Sequence, residues 1–234
     1  MTRRFQVVLW DVDGTLVSAG GAGRRAFERA VEEYVGPFDG ALKEMRLDGM
    51  TDRLIVREAL TILGKPHTDT FCDELLARYV EHLRVEIHGP GFRVLPAVDA
   101  ALGALRAAGR PFGLCTGNVE EGARVKLAKG GIDGWFEWGA EAIAGFEADG
   151  EAREDVVAAA LRRAAARLGR PVPGREALIV GDTPRDVSAA HRHGCPVLAV
   201  ATGRFSVDEL RAAGAEWAVP SLAAPEALTA LLGG

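Results

Sequence analysis

Two aspartates, Asp11 and Asp13, end an apolar run at residues 5–10 in the stretch FQVVLWDVDGTL. The run does not alternate, which fits a strand buried on both faces of a parallel sheet. Gly14 then permits a tight turn where the chain leaves the sheet. Carboxylates at such a place cost several kcal/mol to desolvate, so a fold gains nothing from them by itself. A lone Asp-x-Asp-Gly can equally be a turn whose side chains cap backbone amides. Two later stretches decide between these readings. Thr116-Gly117-Asn118 follows FGLC, and Gly181-Asp182-Thr183-Pro184-Arg185-Asp186 follows ALIV, each again at the end of an apolar run. Ligands of an open parallel sheet bind outside the carboxyl ends of its strands, so the three stretches are expected to share one crevice. Asp11, Asp13, Asp182 and Asp186 repel one another there unless a cation sits among them. Oxygen-only ligands suit Mg²⁺, which keeps several waters and bridges to substrate phosphate. Thr116, Asn118 and the amides of the turn around Gly117 supply uncharged donors for phosphate oxygens.

The elements that must position these groups follow from periodicity. Apolar residues at helical spacing predict helices at 22–35, 53–63 and 70–87, with Thr51 or Asp52 as the cap of the second. Gly89-Pro90-Gly91 reads as a linker, so residues 18–91 form a helical insertion after the first strand. Strands and helices then alternate. Helices are expected at 97–108, 120–129, 154–168 and 184–193. Strands are expected at 112–116, near 135–140, at 177–180 and at 197–200, and a helix, a short strand and a helix close the chain. That alternation means βαβ units: an α/β, Rossmann-like parallel sheet in a core domain of residues 1–17 and 92–234, with an inserted all-helical domain at 18–91.

Composition limits the function classes. The 234 residues are 48% hydrophobic and carry a net charge of −5, and only four of the 28 basic residues are Lys. That balance argues against a nucleic-acid surface or a polybasic membrane patch. Cys72, Cys115 and Cys195 lie far apart without metal-site spacing, as expected of a reducing compartment. Arg3–Arg4 resembles the start of an export signal, but the apolar run behind it is short and ends in Asp11, so no signal peptide is read. A cytoplasmic protein without a membrane span is expected. Its oligomeric state is not encoded in any motif.

DVDGTL, LCTGN and GDTPRD, in this order and with a helical insertion between the first two, resemble motifs one, two and four of the haloacid-dehalogenase-like superfamily, in its phosphoglycolate-phosphatase-like branch. The resemblance implies a phosphatase of small phosphate monoesters that works through an aspartyl-phosphate. Asp11 would be the nucleophile, and Asp13 would protonate the leaving alcohol and then act as base on the hydrolytic water. Asp11, the backbone carbonyl of Asp13, and Asp182 would hold Mg²⁺, with Asp186 as a ligand through water or behind the ligands. Thr116 would bind the phosphoryl group with Gly117 and Asn118 beside it. The third motif departs from the family, which usually places Lys there; Arg153 is the matching cation.

The insertion has the position of the family's type-one cap, and Gly49-Met50-Thr51-Asp52 resembles the cap loop that faces the substrate. Thr51 and Arg53 are therefore expected to contact substrate, with Arg24 and Arg25 as further cations for an acidic leaving group. Lys126 and Lys129 are expected to be exposed, and none of the five histidines has ligand spacing. A small phosphate ester is the expected partner, phosphoglycolate-like first. A haloacid dehalogenase would need neither Asp13 nor the metal, and a phosphonate hydrolase would need a cap-loop Lys where Arg53 stands. A sugar-phosphate mutase of the same superfamily, or a non-catalytic binding protein on the scaffold, are the alternatives.

Overall fold

The structure, a computed structural model, describes residues 5–233, and Arg3–Arg4 lie outside them. Its centre is β1 (Val7–Trp10), whose four residues are all buried. On one side β1 pairs in parallel with β4 (Phe112–Cys115), with Trp10 opposite Leu114. On the other it pairs in parallel with β6 (Ala177–Gly181), with Trp10 opposite Val180. Outer strands β5 (Ala144–Gly145), β7 (Val197–Val200) and β8 (Trp217–Val219) complete an all-parallel sheet in the order β5-β4-β1-β6-β7-β8. The direction of winding reverses at β1, so the three strands that carry the acidic and hydroxyl motifs are neighbours.

Alternate residues of β1 feed two cores, which is why its run shows no polar positions. Val8 and Trp10 pack with Leu102 and Leu105 of α4 (Val98–Ala107), Leu127 of α5 (Glu120–Lys129) and Leu231 of α9 (Pro225–Leu232). Val7 and Leu9 pack with Val156 and Val157 of α6 (Arg153–Leu168), Val187 of α7 (Pro184–Arg192) and Leu210 of α8 (Val207–Ala212). The result is the α/β fold with helices on both faces of a parallel sheet.

A third apolar cluster belongs to the insertion. Ala26, Phe27 and Val31 of α1 (Ala22–Val35) meet Val56 and Leu60 of α2 (Asp52–Ile62) and Leu75 and Leu83 of α3 (Asp69–Glu86). The chain enters and leaves this helical unit through a short antiparallel ribbon, β2 (Val17–Ala19) against β3 (Phe92–Val94), with Ser18 opposite Arg93. The ribbon was not expected, because three-residue strands beside Gly20-Gly21 and Gly89-Pro90-Gly91 read as linker.

The strand expected near 135–140 is not there. Asp133–Trp135 forms a 3₁₀ turn, and the outer strand comes later as Ala144–Gly145. The aromatic residues that suggested a strand, Trp135, Phe136 and Trp138, instead pack on the core from an irregular segment. A two-residue Ala-Gly strand offers none of the β-branched or aromatic signal by which strands are read.

Close contact between β4 and the segment before β5 depends on Gly113. A Cβ there would lie 1.7 Å from the carbonyl oxygen of Ile143. Backbone cannot yield as a flexible side chain can, so Gly113→Ala is expected to destabilise the protein by about 2–3 kcal/mol, as overpacking does. Urea unfolding measures this as a lowered midpoint at unchanged slope.

Candidate active site

Each site group stands where a strand stops. Asp11 follows β1, and its amide donates to the carbonyl of Val180 at 2.9 Å, holding the strand end against β6. Gly14 turns the chain with φ +81°, and a Cβ at that residue would lie 2.2 Å from Oδ2 of Asp182. The turn therefore needs glycine both for its left-handed backbone and for the carboxylate packed against it. Thr116, Gly117 and Asn118 follow β4, and the Asn118 amide donates to the Thr116 hydroxyl at 3.4 Å. Asp182 follows β6. Thr183 caps α7, with its amide and hydroxyl donating to Oδ2 of Asp186 at 3.0 and 2.8 Å.

Arg153, the first residue of α6, closes the constellation. Its Nη2 donates to Oδ1 of Asp11 at 2.5 Å, to Oδ1 of Asp186 at 2.6 Å and to the Cys115 carbonyl at 3.2 Å. All three acceptors are buried, and Arg153 itself is 9% exposed. Burial works against its charge, but Asp186 and Asp11 outweigh that and raise its pKa above the ordinary value. Burial also pushes Asp11 up to about 6, against the pull of Arg153 and with the push of Asp186. Asp182 is raised well above the usual carboxylate range by burial, then by Asp11 and Asp186.

The carboxylates fit a bound cation. Ligand oxygens of Asp11, Asp182 and Asp186 lie within 4.8 Å of one another. Asp182 Oδ1 is buried without a hydrogen-bond partner among the described residues. An orphaned carboxylate oxygen among like charges, in an all-oxygen donor set, suits Mg²⁺. Asp186 already has Oδ1 on Arg153 and Oδ2 on Thr183, which suits a group behind the ligands better than a direct one.

A cavity of about 340 Å³ opens over this cluster, within the range of small-molecule sites. Its floor includes Asp11, Asp13, Thr116, Gly117, Asn118, Arg153 and Asp182, and its roof includes Phe27, Met50, Ile55, Leu76 and Tyr79 of the insertion. Arg24 lines it too, although its guanidinium is taken up by Glu28 and by the carbonyls of Leu42 and Met45. Arg25 is engaged instead with Glu86 and the Gly20 carbonyl.

Two expected substrate contacts are otherwise employed. The Thr51 hydroxyl caps α2 by accepting from the Leu54 amide and donates to the Glu151 carbonyl at 2.8 Å. Arg53 pairs with Glu147 at 2.6 Å and with Asp73, and neither Thr51 nor Arg53 lines the cavity. Both side chains join the insertion to the core, as does Asp52, whose amide donates to the Gly117 carbonyl at 2.7 Å and whose Oδ2 accepts from the Val119 amide at 2.8 Å. Burial pushes Asp52 up to about 6, against the pull of Lys126 and the Val119 amide.

Lys126 corrects another expectation. It is 3% exposed, not on the surface, and its Nζ donates to Oδ2 of Asp13 and to Oδ1 of Asn118 at 3.1 Å. A signal for this was present. Gly122 and Ala123 lie one turn before Lys126 and Leu127, and these four small or apolar-flanked positions are the buried face of α5. Lys129, on the same helix, does lie outside the buried face.

Relatives with names match both sequence and fold. The model of the haloacid dehalogenase-like hydrolase family matches residues 5–194. A phosphoglycolate phosphatase from Rhodospirillum rubrum is 32% identical over 204 residues, 85% of this chain and 80% of that protein. A predicted phosphatase from Clostridium acetobutylicum superposes with a TM-score of 0.70 at 20% identity, covering 98% of this chain and 99% of that one. A candidate β-phosphoglucomutase from Bacteroides vulgatus superposes equally well, with a TM-score of 0.70 at 19% identity over 100% of this chain and 92% of that one. At those identities the two solved structures speak for the fold alone. With the family model spanning most of its length, the chain belongs to the haloacid dehalogenase-like hydrolase family.

Proposed function

We propose that this phosphoric monoester hydrolase is a Mg²⁺-dependent phosphatase of small phosphate monoesters that works through a phosphoryl group carried on Asp11. The observation that carries the reading is the buried set Asp11, Asp182 and Asp186, with Arg153 bridging Asp11 and Asp186, beneath a cavity of small-molecule size. Phosphoglycolate-like esters come first among substrates because of the named relatives. Mg²⁺ would be held by Asp11 and Asp182, with Asp186 behind them, and would neutralise charge on the phosphoryl oxygens.

The chain's own residues do the rest. The Asp11 carboxylate attacks phosphorus, forming an acyl phosphate as the ester oxygen leaves. Asp13, beside it and 43% exposed, gives the leaving alcohol its proton and later takes one from the attacking water. Thr116 and the amides after β4 face the phosphoryl oxygens, and Arg153 keeps Asp11 ionised against Asp186. The helical insertion of residues 18–91 acts as a cap that roofs the cavity and keeps water out.

Hydrolysis of p-nitrophenyl phosphate is expected to vanish with EDTA and to return with Mg²⁺. Mg²⁺ should also raise the melting temperature of the wild-type protein but not of Asp182→Asn. Full activity in metal-free buffer would sink the reading. So would isomerisation of a sugar phosphate without release of inorganic phosphate, which is the mutase outcome.

Asp11→Asn should abolish turnover with the fold intact. Asp13→Asn should slow alkyl ester cleavage by about 10²–10⁴-fold, the usual contribution of general acid–base catalysis. The loss should be smaller for nitrophenyl esters, whose leaving group needs no proton. Equal losses on both ester types would remove Asp13 from the acid role.

Arg153→Ala should lose on the order of 10²-fold or more in turnover, and Arg153→Lys should recover part of it, the charge without the planar fork. Stability should fall as well, by about 3 kcal/mol, because the buried carboxylates lose their partner. Burial holds the Asp11 pKa up at about 6 in the fold, above the ordinary carboxylate value. A carboxyl raised on folding contributes stability that is full below its unfolded value and is lost as pH rises through the folded one. Removing Arg153 raises Asp11 further, so in EDTA the deficit of Arg153→Ala should be larger at pH 8 than at pH 5. Denaturant unfolding at the two pH values reads it.

A further inference from the structure

We propose that Lys126 is a positioning residue for Asp13, fixing one oxygen of that carboxylate so that the other is presented to the cavity. The inference rests on the phosphatase reading and deepens it. Two contacts carry it. Lys126 Nζ donates to Oδ2 of Asp13 and to Oδ1 of Asn118 at 3.1 Å, and the buried phenol of Tyr79 lies near the ammonium. An ammonium has three N–H donors, and two of them are taken by the Asp13 and Asn118 oxygens.

A purely structural role explains less. Position 126 lies on the buried face of α5 beside Leu127 and one turn from Ala123, where an apolar side chain would pack without the desolvation cost of an ammonium. The charge is instead spent on a carboxylate that is itself 43% exposed at the cavity floor. Asp13 makes no other side-chain hydrogen bond among the described residues, so Lys126 is what sets its rotamer. Tyr79 is 4% exposed and belongs to α3 of the insertion. The shell around Lys126 is thus completed from the unit that roofs the site, while Asn118 completes it from the turn that faces the phosphoryl group.

A double-mutant cycle on an alkyl phosphate monoester, whose leaving group needs the Asp13 proton, tests the assignment, because only a group acting through Asp13 loses its effect once Asp13 is gone. Lys126→Met, which keeps most of the unbranched stem and removes the charge, is expected to lower kcat on the order of 10- to 100-fold, the scale of an Å-sized misplacement, with KM little changed. In an Asp13→Asn background the same substitution should cost less than about twofold. Tyr79→Phe should show the same pattern with a smaller loss. Lys126→Arg keeps the charge but not the reach, and serves if Lys126→Met does not fold; it too should matter only when Asp13 is present. Losses that add across the cycle, or that appear in KM rather than kcat, would overturn the proposal. Absence of phosphate release by the wild-type protein would instead bring down the phosphatase reading itself.

Discussion

Like charges held together out of water are the constraint on which the rest of this structure depends. Asp11, Asp182 and Asp186 are nearly buried at the ends of two neighbouring strands or on the helix that follows. Each raises the cost of ionising the next, as the upward pKa shifts of Asp11 and Asp182 record. The fold answers with a guanidinium at the first residue of α6, placed across β1 and β4 from the acidic turn. It leaves one buried oxygen of Asp182 unanswered. The sheet order makes this geometry possible, since reversal of winding at β1 brings three strand ends side by side and leaves a crevice between the helices that diverge from them.

Legibility in the sequence followed the same physics. Buried parallel strands and amphipathic helices have strong periods, so α1, α5 and β7 begin and end where the apolar pattern says. The acidic and hydroxyl motifs stood out because a strand end is an expensive place for them. The segment before β5 was misread because bulky aromatics marked a strand that two small residues form. Lys126 was misread for a different reason. A lysine among helical residues is usually solvated, and although the α5 pattern puts position 126 on the buried face, its partner Asp13 lies 113 residues away. No local pattern carries that contact. Thr51 and Arg53 were assigned to substrate through the loop that holds them, yet loop position does not specify which partner a side chain takes.

Those two residues help explain how the insertion is seated. Thr51, Asp52 and Arg53 are consecutive, and each reaches the core: Glu151, Val119 and Glu147 respectively. Arg57 adds an ion pair with Glu151 at 2.5 Å. These joints are hydrogen bonds and charges in which Thr51, Asp52 and Glu147 are buried, and Val119 and Val125 of the core pack against the insertion's own apolar cluster. Polar partners fix direction as well as contact, so they set the register in which the insertion sits on the core.

The ribbon of β2 and β3 has a consequence for how such a chain can change over generations. Because Val17 faces Val94 and Ala19 faces Phe92, the two ends of the long excursion are already paired where they meet the sheet. Whatever lies between them closes a loop whose entropic cost grows only with the logarithm of its length, by about 0.6 kcal/mol for each doubling. Residues can therefore be gained, lost or exchanged beyond the ribbon at little expense to the strands beneath. The reacting groups stay fixed while the surface that meets the rest of the substrate is free to drift.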